Sequence, residues 1–489
     1  MDYSKIETTS AAPKASSMVE TFRAIGYSLE TAVADIIDNS ISADARNIWI
    51  NRIWRGGRSF ITIKDDGHGM TSQEVIQAMR PGSQNPRDER SEKDLGRFGL
   101  GLKTASFSQC RKVSVFSKRK DYAPAFWTWD LDFVAATDNW DLLKWMPDEF
   151  SNELDEIESG TLVIWSDLDR VVRPNVSESD VHAHEKFSRD LDHVKKHIAM
   201  TFHRFIEDKA IKLYWCGNEI ESWNPFCPNE SKRQLQTEDH LPGNVTVRGY
   251  VLPHKKNFSS EKAYNDAEGM NGWTAHQGFY IYRGKRLLLA GNCLGMFKQE
   301  EPYKLVRIQV DIPNTQDSEW KIDIKKSQAY PPASCRELLE SYARTVRRQG
   351  MEVYKHRGRI LKQKAGASFQ PLWLDKKKDG KWYFVVNREN EVIARVKEMA
   401  KTNPDSAIET LLRFVEESVP TNAVYANKVE NEATQKDAFE GFDTDSLLLV
   451  AQSLYDSKIA SGLSPEEARE SLKSIAPFNE YEDLIESLS

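Results

Sequence analysis

Residues 28–45 restrict the fold most, because they combine a helical apolar pattern with two polar residues on one face. The apolar side chains recur at helical spacing: Ala32, Val33, Ile36, Ile37 and Ile41. Asp35 and Asn39 are four positions apart and therefore share one side of the predicted helix. A carboxylate beside a carboxamide can hold a metal ion and a water molecule. For this pair alone, a solvated helix face is the simpler interpretation.

Two glycine motifs, DDGHGM and GRFGLGLK, follow this helix and favour the functional interpretation. In the first, Gly67 and Gly69 lack side chains and would let a flat ligand approach the backbone, while Asp65 could accept a hydrogen bond from an exocyclic amine. The second opens a predicted helix, whose N–H groups attract anionic oxygens, and Lys103 adds positive charge. Together with Thr161 in a later predicted strand, these motifs indicate a nucleotide site.

Composition bounds the class of protein. The 489 residues are enough for roughly three domains, and the net charge of −7 gives no sign of global nucleic-acid binding. Five scattered cysteines without a CxxC pair fit a reducing compartment. No apolar run reaches the ~18 residues that a membrane span needs, and the N-terminus lacks a signal-peptide core. We therefore expect a cytoplasmic protein without a membrane segment.

The order of predicted elements indicates a multidomain protein of mixed α+β and α/β class. Helices and a strand-rich sheet predict an α/β sandwich first, then a second α/β domain and a mostly helical, acidic C-terminal region. The expected divisions are an N-terminal arm over 1–20, a nucleotide-binding domain over 21–175, a second domain over 176–365 and the C-terminal region over 366–489.

Four segments resemble the boxes of the GHKL ATPase superfamily, which includes gyrase B, the heat-shock chaperone, histidine kinases and MutL. These segments are ADIIDNSISADA, KDDGHGM, GRFGLGLKTAS and SGTLVIW, and the likeness covers about residues 20–170. The resemblance implies a Bergerat-type α/β sandwich that binds ATP and Mg²⁺ and hydrolyses ATP to ADP and phosphate.

Carried over residue by residue, the resemblance implies roles for individual side chains. Asn39 would coordinate Mg²⁺, Asp35 would be the general base, Asp65 would bind the adenine amine and Thr161 would reach it through water. Residues expected to wall the adenine are Gly67, Gly69 and Met70. Residues expected to cradle the phosphates are Gly96, Gly99, Leu100, Gly101, Leu102 and Lys103. Residues 80–101 would be the ATP lid.

Two positions depart from the family pattern. The general base is usually a glutamate, whereas Asp35 is one methylene shorter, and Ser42-Ala43 stands where the family has Asp-Ala. General-base help is worth ~10²–10⁴-fold and depends on hydrogen-bond reach, so hydrolysis is expected to be slow. The alternative is an ATP-gated interaction module or chaperone-like protein with little hydrolysis.

The second domain carries GFYIYRGKRLLLAG and WKIDIKKSQAYPP, which resemble the transducer (S5-like) domain of the MORC and MutL branch. There a lysine touches the γ-phosphate, and the candidates are Lys325 and Lys326. Lys326 is preferred because Ser327 follows it. Two solvated lysines at a strand end are the competing interpretation. The likeness is greatest to MORC-like ATPases, including bacterial relatives encoded beside nucleases and methyltransferases in defence clusters.

A basic stretch follows the transducer-like motifs, with Glu352 as its single acid between residues 344 and 364. The arginines considered for nucleic-acid contact are Arg344, Arg347, Arg348, Arg357 and Arg359. Such a cluster could neutralise several phosphates without reading sequence. The simpler interpretation is a solvated helix followed by a charged hairpin. The expected partners are a second copy of the chain upon ATP binding, DNA, and defence-system proteins such as a nuclease or methyltransferase.

Overall fold

The computed structural model describes residues 6–7, 9, 11–83, 101–323, 326, 328–355, 372–378, 381–430, 444–475, 478 and 481–488. The chain divides into two compact units, Met1–Ile360 and Leu361–Ser489. Each unit is described by itself.

The first unit contains two sheets with helices packed on them. Its helices are α1 (Ala15–Arg23), α2 (Leu29–Ser42), α3 (Ser72–Met79), α4 (Gly101–Phe107), α5 (Leu131–Thr137), α6 (Val181–Thr201), α7 (His203–Glu207), α8 (Glu261–Glu268) and α9 (Ala333–Lys355). Its strands are β1 (Asn47–Ile53), β2 (Phe60–Asp65), β3 (Lys112–Lys118), β4 (Ala125–Asp130), β5 (Gly160–Ser166), β6 (Lys212–Trp215), β7 (Asn218–Glu219), β8 (Gln234–Leu235), β9 (Asp239–Leu241), β10 (Val245–Val251), β11 (Gly278–Arg283), β12 (Arg286–Asn292) and β13 (Val306–Ile312).

The first sheet has seven strands among the described residues, in the order β4-β3-β5-β2-β1-β6-β7. It is mixed, because β1 pairs with β6 in parallel while β1–β2, β2–β5, β3–β5 and β3–β4 are antiparallel. Strand β2 ends at Asp65, directly opposite Thr161 of β5. This register brings two predicted site residues together at the same end of two neighbouring inner strands.

Helix α2 lies on this sheet and packs against α4, α6 and β2. Ser28 begins it by accepting a hydrogen bond from the Thr31 N–H, which satisfies one free donor of the first turn. Its apolar side chains, including Ile36 and Ile37, are buried. Burial of each such side chain contributes roughly 1.5–3 kcal/mol, so the apolar face fixes how the polar face is presented.

Helix α3 begins with a capping box, which the spacing of Thr71 and Glu74 in the sequence Thr-Ser-Gln-Glu predicts. Thr71 accepts from the Glu74 backbone N–H, and the Glu74 carboxylate accepts from the Thr71 backbone N–H. Two donors at the helix start are thereby satisfied reciprocally. The helix ends at Met79, directly before the segment expected to be the lid.

The second sheet has the order β12-β11-β13-β10-β8, with β9 also paired to β10. Strand β11 runs parallel to β13 and antiparallel to β12, with which it forms a hairpin. Residues 313–332, here called the Lys326 loop, join β13 to α9. This connection brings a loop that follows the second sheet to helix α2 of the first sheet.

The second unit begins with the strands β14 (Trp373–Lys378) and β15 (Lys381–Val386). Its helices are α10 (Glu391–Met399), α11 (Pro404–Ser418), α12 (Thr421–Glu430), α13 (Thr444–Ala460), α14 (Pro465–Lys473) and α15 (Glu482–Glu486). Leu447 and Tyr455 of α13 pack with Leu472 of α14 and Ile485 of α15 in a small core.

Two expected divisions differ from the observed elements. Residues 15–20, assigned to the arm, belong to α1, because Ala15 and Val19 are buried in the first core. The first sheet continues to Glu219, past the boundary expected at 175, because β6 pairs with β1. In the part of the chain that the structure describes, no helix is both long and apolar enough to cross a bilayer.

Candidate active site

A cavity of about 320 Å³ lies between α2, the first sheet and the Lys326 loop. This volume is within the roughly 300–1,000 Å³ typical of small-molecule sites. The predicted site residues that line it are Asp35, Asn39, Asp65, Gly69, Met70, Gly101, Leu102, Lys103, Thr161 and Lys326. The predicted residues Gly96, Gly99, Leu100 and Lys325 lie outside the described residues, as does segment 84–100 of the expected lid.

Asp65 is held rigidly at the end of β2 and is 6% exposed. Its Oδ1 accepts from the Gly67 N–H at 3.0 Å and the Thr161 N–H at 3.2 Å, and its Oδ2 accepts from the Ser40 hydroxyl at 2.8 Å. Burial raises the pKa of the Asp65 carboxyl, although these donors act in the opposite direction. The side chain is therefore oriented by three donors before any ligand is present.

Close backbone contacts within the protein require glycine at positions 67 and 69. A Cβ on Gly67 would lie 2.8 Å from the Ala43 carbonyl oxygen, and a Cβ on Gly69 would lie 1.9 Å from that of Lys118. Gly69 also has a φ of +65°, which side chains disfavour. Only Gly69 of this pair lines the cavity, so close approach of a flat ligand does not by itself explain Gly67.

Asn39 faces the cavity from α2. It is exposed while its neighbours Asp38 and Ser40 are buried, because the helix turns its apolar side toward the sheet and α6. Among the described residues, no group of three or more His, Cys, Asp or Glu side chains could hold a metal ion by itself. Mg²⁺ prefers oxygen ligands and usually keeps waters and substrate phosphates. A single carboxamide oxygen beside a phosphate chain fits that chemistry.

Asp35 contacts a lysine that comes from the second sheet's loop. The Lys326 ammonium lies 3.1 Å from Asp35 Oδ1, and the Tyr27 hydroxyl donates to Asp35 Oδ2 at 2.9 Å. Asp35 is 3% exposed. Burial raises the pKa of its carboxyl, and the nearby Lys326 opposes that shift. Both carboxylate oxygens are therefore engaged by the protein in this state.

The neighbouring Asp38 completes a buried group of four charges. Arg286 Nε lies 2.8 Å from Asp38 Oδ2 and 3.0 Å from Oδ1, and the Lys326 ammonium lies 2.5 Å from Oδ2. Burial alone would raise the pKa of Asp38, but Arg286 and Lys326 hold it below its usual value. Two acids and two bases thus balance each other across the contact between α2 and the second sheet.

Lys326 occupies an unusual backbone conformation. Its φ is +52°, in the left-handed region, and its N–H donates to the Asp323 carbonyl at 3.1 Å. A non-glycine residue held there costs of order 1–3 kcal/mol and persists only where the surroundings enforce it. Its alternative, Lys325, is outside the described residues, so the structure places one of the two candidate lysines at Asp35.

Lys103 lies in α4, a helix that packs against α2. Its ammonium donates to the Ala78 carbonyl at 2.9 Å, at the end of α3, and burial lowers its pKa to about 8. Gly101, at the start of the same helix, faces Asp35: a Cβ there would lie 3.4 Å from Asp35 Oδ2. The Gly-Leu-Lys sequence therefore borders both the carboxylate and the cavity.

The predicted nucleic-acid arginines separate into different environments. Arg347 is 12% exposed and packs over the rings of Tyr303 and Phe297, at 3.6 and 4.2 Å from their centroids. Arg344 is 74% exposed and pairs with Glu340 at 2.8 Å on the same helix, and Arg348 is exposed. Arg357 and Arg359 lie outside the described residues. Arg347 thus packs against aromatic side chains of its own domain, whereas Arg344 and Arg348 face solvent.

Several residues of the site were not predicted from the sequence. They are Tyr27, Ser40, Asp38, Arg286, Arg283 and Asp317. Asp38 adjoins Asn39 within a predicted motif, and both arginines belong to the YRGKR segment, so the residue types were visible. Their pairing was not, because Asp38 and Arg286 are 248 positions apart.

Two comparisons with known proteins found matches to this chain. Residues 27–161 match the family described as histidine kinase-, DNA gyrase B-, and HSP90-like ATPase. A curated relative, the ATPase morc-1 of Caenorhabditis elegans, is 30% identical over 89 residues. That alignment covers 18% of this chain and 10% of the relative, so the chain spans about a tenth of that protein's length.

Proposed function

Because residues 27–161 form a domain of the histidine kinase-, DNA gyrase B- and HSP90-like ATPases, we propose that the chain binds ATP with Mg²⁺ and hydrolyses it slowly to ADP and phosphate. One observation carries this proposal. One cavity is bordered both by Asp65, whose side chain is already oriented, and by the Asp35–Lys326 pair. The proposed adenine site and the proposed site of phosphate chemistry are therefore parts of one continuous cavity.

In this proposal the two ends of the cavity have different tasks. Asp65 accepts a hydrogen bond from the adenine amine, beside Gly69 and Met70, and Thr161 reaches the adenine through water. Gly101, Leu102 and Lys103 lie along the phosphates, joined by Gly96, Gly99 and Leu100. Mg²⁺, when bound to the phosphates with Asn39 as its protein ligand, would supply positive charge to their oxygens.

Asp35 would act as general base once it is free to contact a water molecule. In the observed state Lys326 and Tyr27 engage both of its oxygens. A terminal phosphate would compete for the Lys326 ammonium, and transfer of the lysine to that phosphate would release Asp35 Oδ1. Asp38 would keep its pairing with Arg286 throughout, so the contact between α2 and the second domain would persist.

A second candidate function is an ATP-gated interaction module with little hydrolysis. The observation that favours it is the short Asp35 side chain, whose oxygens are both occupied. Phosphate release by the full chain and by Asn39→Ala separates the two functions. Faster release by the wild type supports the ATPase. Equal, negligible release by both, together with retained binding of an ATP analogue by the wild type, supports the gated module.

The output that we propose is ATP-driven dimerisation of the N-terminal domains, followed by clamping or remodelling of DNA in antiphage or genome defence. Likeness to the MORC-type ATPases supports this step, as do the exposed Arg344 and Arg348. Partner proteins would include a nuclease or methyltransferase. Light scattering during size-exclusion chromatography, with and without a non-hydrolysable ATP analogue and DNA, tests it: a mass unchanged by the analogue would contradict dimerisation.

A further inference from the structure

The tip of the β11–β12 hairpin carries three basic residues that point to three different partners. Arg283 Nε lies 3.1 Å from Asp317 Oδ1 in the Lys326 loop. Arg286 pairs with Asp38 of α2, as described above. Lys285, in the turn between them, pairs at 2.5 Å with Asp208, and both side chains are about half exposed. Arg283 is thus a direct ionic connection between the hairpin and the loop that carries the candidate phosphate sensor.

The Lys326 loop is built around a few fixed points. Trp320 is completely buried, and its carbonyl accepts from the Tyr330 N–H at 2.7 Å, which joins one residue before Lys326 to one residue after it. The Ile322 N–H donates to the Asp317 backbone carbonyl at 3.2 Å, while the Asp317 carboxylate forms an ion pair with Arg283. The Lys326 N–H in turn donates to the Asp323 carbonyl at 3.1 Å, so backbone hydrogen bonds connect Asp317 with Lys326 through the adjacent residues Ile322 and Asp323.

Arg283 is well suited to fix such a loop. It is the last residue of β11, a strand whose residues are all buried, and its own side chain is 3% exposed. Asp317 is 12% exposed, so the pair is shielded from solvent. A planar guanidinium has several donors in a rigid arrangement, which makes it a better positioning group than a flexible ammonium. The Arg283 side chain can thus hold the loop in a defined position relative to the second sheet.

We propose that Arg283 is a positioning residue for Lys326: by pairing with Asp317 it sets where the Lys326 ammonium lies relative to the terminal phosphate of the nucleotide. This inference rests on the proposed function, because it assumes that Lys326 contacts that phosphate. Arg283 and Asp317 also border the nucleotide cavity, so direct phosphate contact by Arg283 is the rival explanation that the experiment must exclude.

The test compares the affinity of the full chain for the non-hydrolysable analogue AMPPNP with its affinity for ADP. The ratio of the two dissociation constants reports contacts to the terminal phosphate alone. Loss of one charge-assisted hydrogen bond changes an equilibrium by roughly 10- to 100-fold. We expect Lys326→Gln to remove a preference of that size. Arg283→Gln and Asp317→Asn should each remove much of the preference for AMPPNP. Arg283→Lys should retain more of this preference than Arg283→Gln does.

The double variant Arg283→Gln/Lys326→Gln distinguishes positioning from contact. If Arg283 acts through Lys326, its substitution changes the ratio no further once the lysine is gone. An equally large additional loss in the double variant, or an Arg283→Gln variant with an unchanged ratio, would overturn the inference. Equal weakening of ADP and AMPPNP by Arg283→Gln would also overturn it, because a positioning role predicts a selective loss.

Lys285→Gln is the matched control, since it removes a charge from the same hairpin tip without touching the Lys326 loop. It should leave the ratio unchanged, and thermal unfolding should confirm that every variant is folded. A wild-type chain that binds neither nucleotide would refute the proposed function itself, and the inference with it. A wild type that prefers AMPPNP, combined with an indifferent Arg283→Gln, would refute the inference alone.

Discussion

Lys326 Nζ lies 3.1 Å from Asp35 Oδ1, although the two residues are 291 positions apart. Asp35 belongs to helix α2 on the first sheet, whereas Lys326 belongs to the loop that follows the second sheet. The contact joins the residue proposed to activate water to the residue proposed to sense phosphate. Because one ammonium cannot serve the carboxylate and a phosphate equally, occupancy of the nucleotide site and freedom of Asp35 become linked. In the proposed function, hydrolysis would therefore depend on which nucleotide is bound.

Asp35 itself provides the first prediction. Asp35→Asn should lower phosphate release by ~10²–10⁴-fold, the usual worth of a general base, while nucleotide binding persists. Asp35→Glu, which restores the family's side-chain length, should raise the turnover number by about tenfold because the carboxylate reaches further. Steady-state phosphate release and equilibrium nucleotide binding measure these effects. A slower Asp35→Glu variant of unchanged stability would show that reach does not limit the wild-type rate.

Lys103 predicts a pH dependence of nucleotide affinity. Burial lowers its pKa to about 8, so the free protein loses this positive charge as the pH rises through that value. Phosphate binds the protonated form better, so affinity should be highest below pH 8 and fall above it, by at most about tenfold per pH unit. Lys103→Met should bind more weakly and lose this slope. A wild-type affinity that is flat from pH 7 to 9.5 would contradict the prediction.

The Asp38–Arg286 pair predicts a strong and non-additive effect on stability. Both side chains are nearly completely buried, at 1% and 3% exposed. Removal of one partner from a buried pair typically costs 3–5 kcal/mol, because a charge is left without compensation. Asp38→Asn and Arg286→Gln should each lower the free energy of unfolding by about 3 kcal/mol, and the double variant should lose less than the sum. Urea unfolding of the four proteins measures this cycle, and simple additivity would argue against a direct interaction.

The sequence predicted the parts of this molecule that depend on local pattern. The apolar spacing around Asp35 predicted helix α2, and Thr71 and Glu74 predicted the start of α3, because both signals come from neighbouring residues. The resemblance placed Asp65 and Thr161 in one site, and the strand register supports that arrangement.

The ion pairs between residues far apart in sequence could not be predicted from local patterns. No local pattern marks Asp38 as a buried, paired residue, since its partner Arg286 belongs to a hairpin formed by residues 278–292. Two glycines were also interpreted too narrowly. The nearby Ala43 and Lys118 carbonyls leave no room for a side chain at Gly67 and Gly69. These contacts form only in the folded chain and could not be predicted from the sequence.

Arg347 illustrates a signal that the sequence did contain. It lies four positions after Ala343 and three before Gly350, both of which are buried on α9. Helical spacing alone therefore put Arg347 near the apolar face, whereas it was grouped with the basic cluster because of its charge. The burial pattern of the helix separates it from Arg344 and Arg348.

This separation gives the last prediction, which concerns DNA. Arg347 stacks on Tyr303 and pairs with Glu300, so Arg347→Ala should lower the unfolding temperature by removing packing as well as charge. Arg344→Glu and Arg348→Glu should leave that temperature nearly unchanged, because both side chains are exposed. If DNA is bound at this face, the same two substitutions should weaken binding at low salt and make its salt dependence shallower, as each removes a phosphate contact. Binding that is unaffected by the double variant would place any DNA contact elsewhere on the chain.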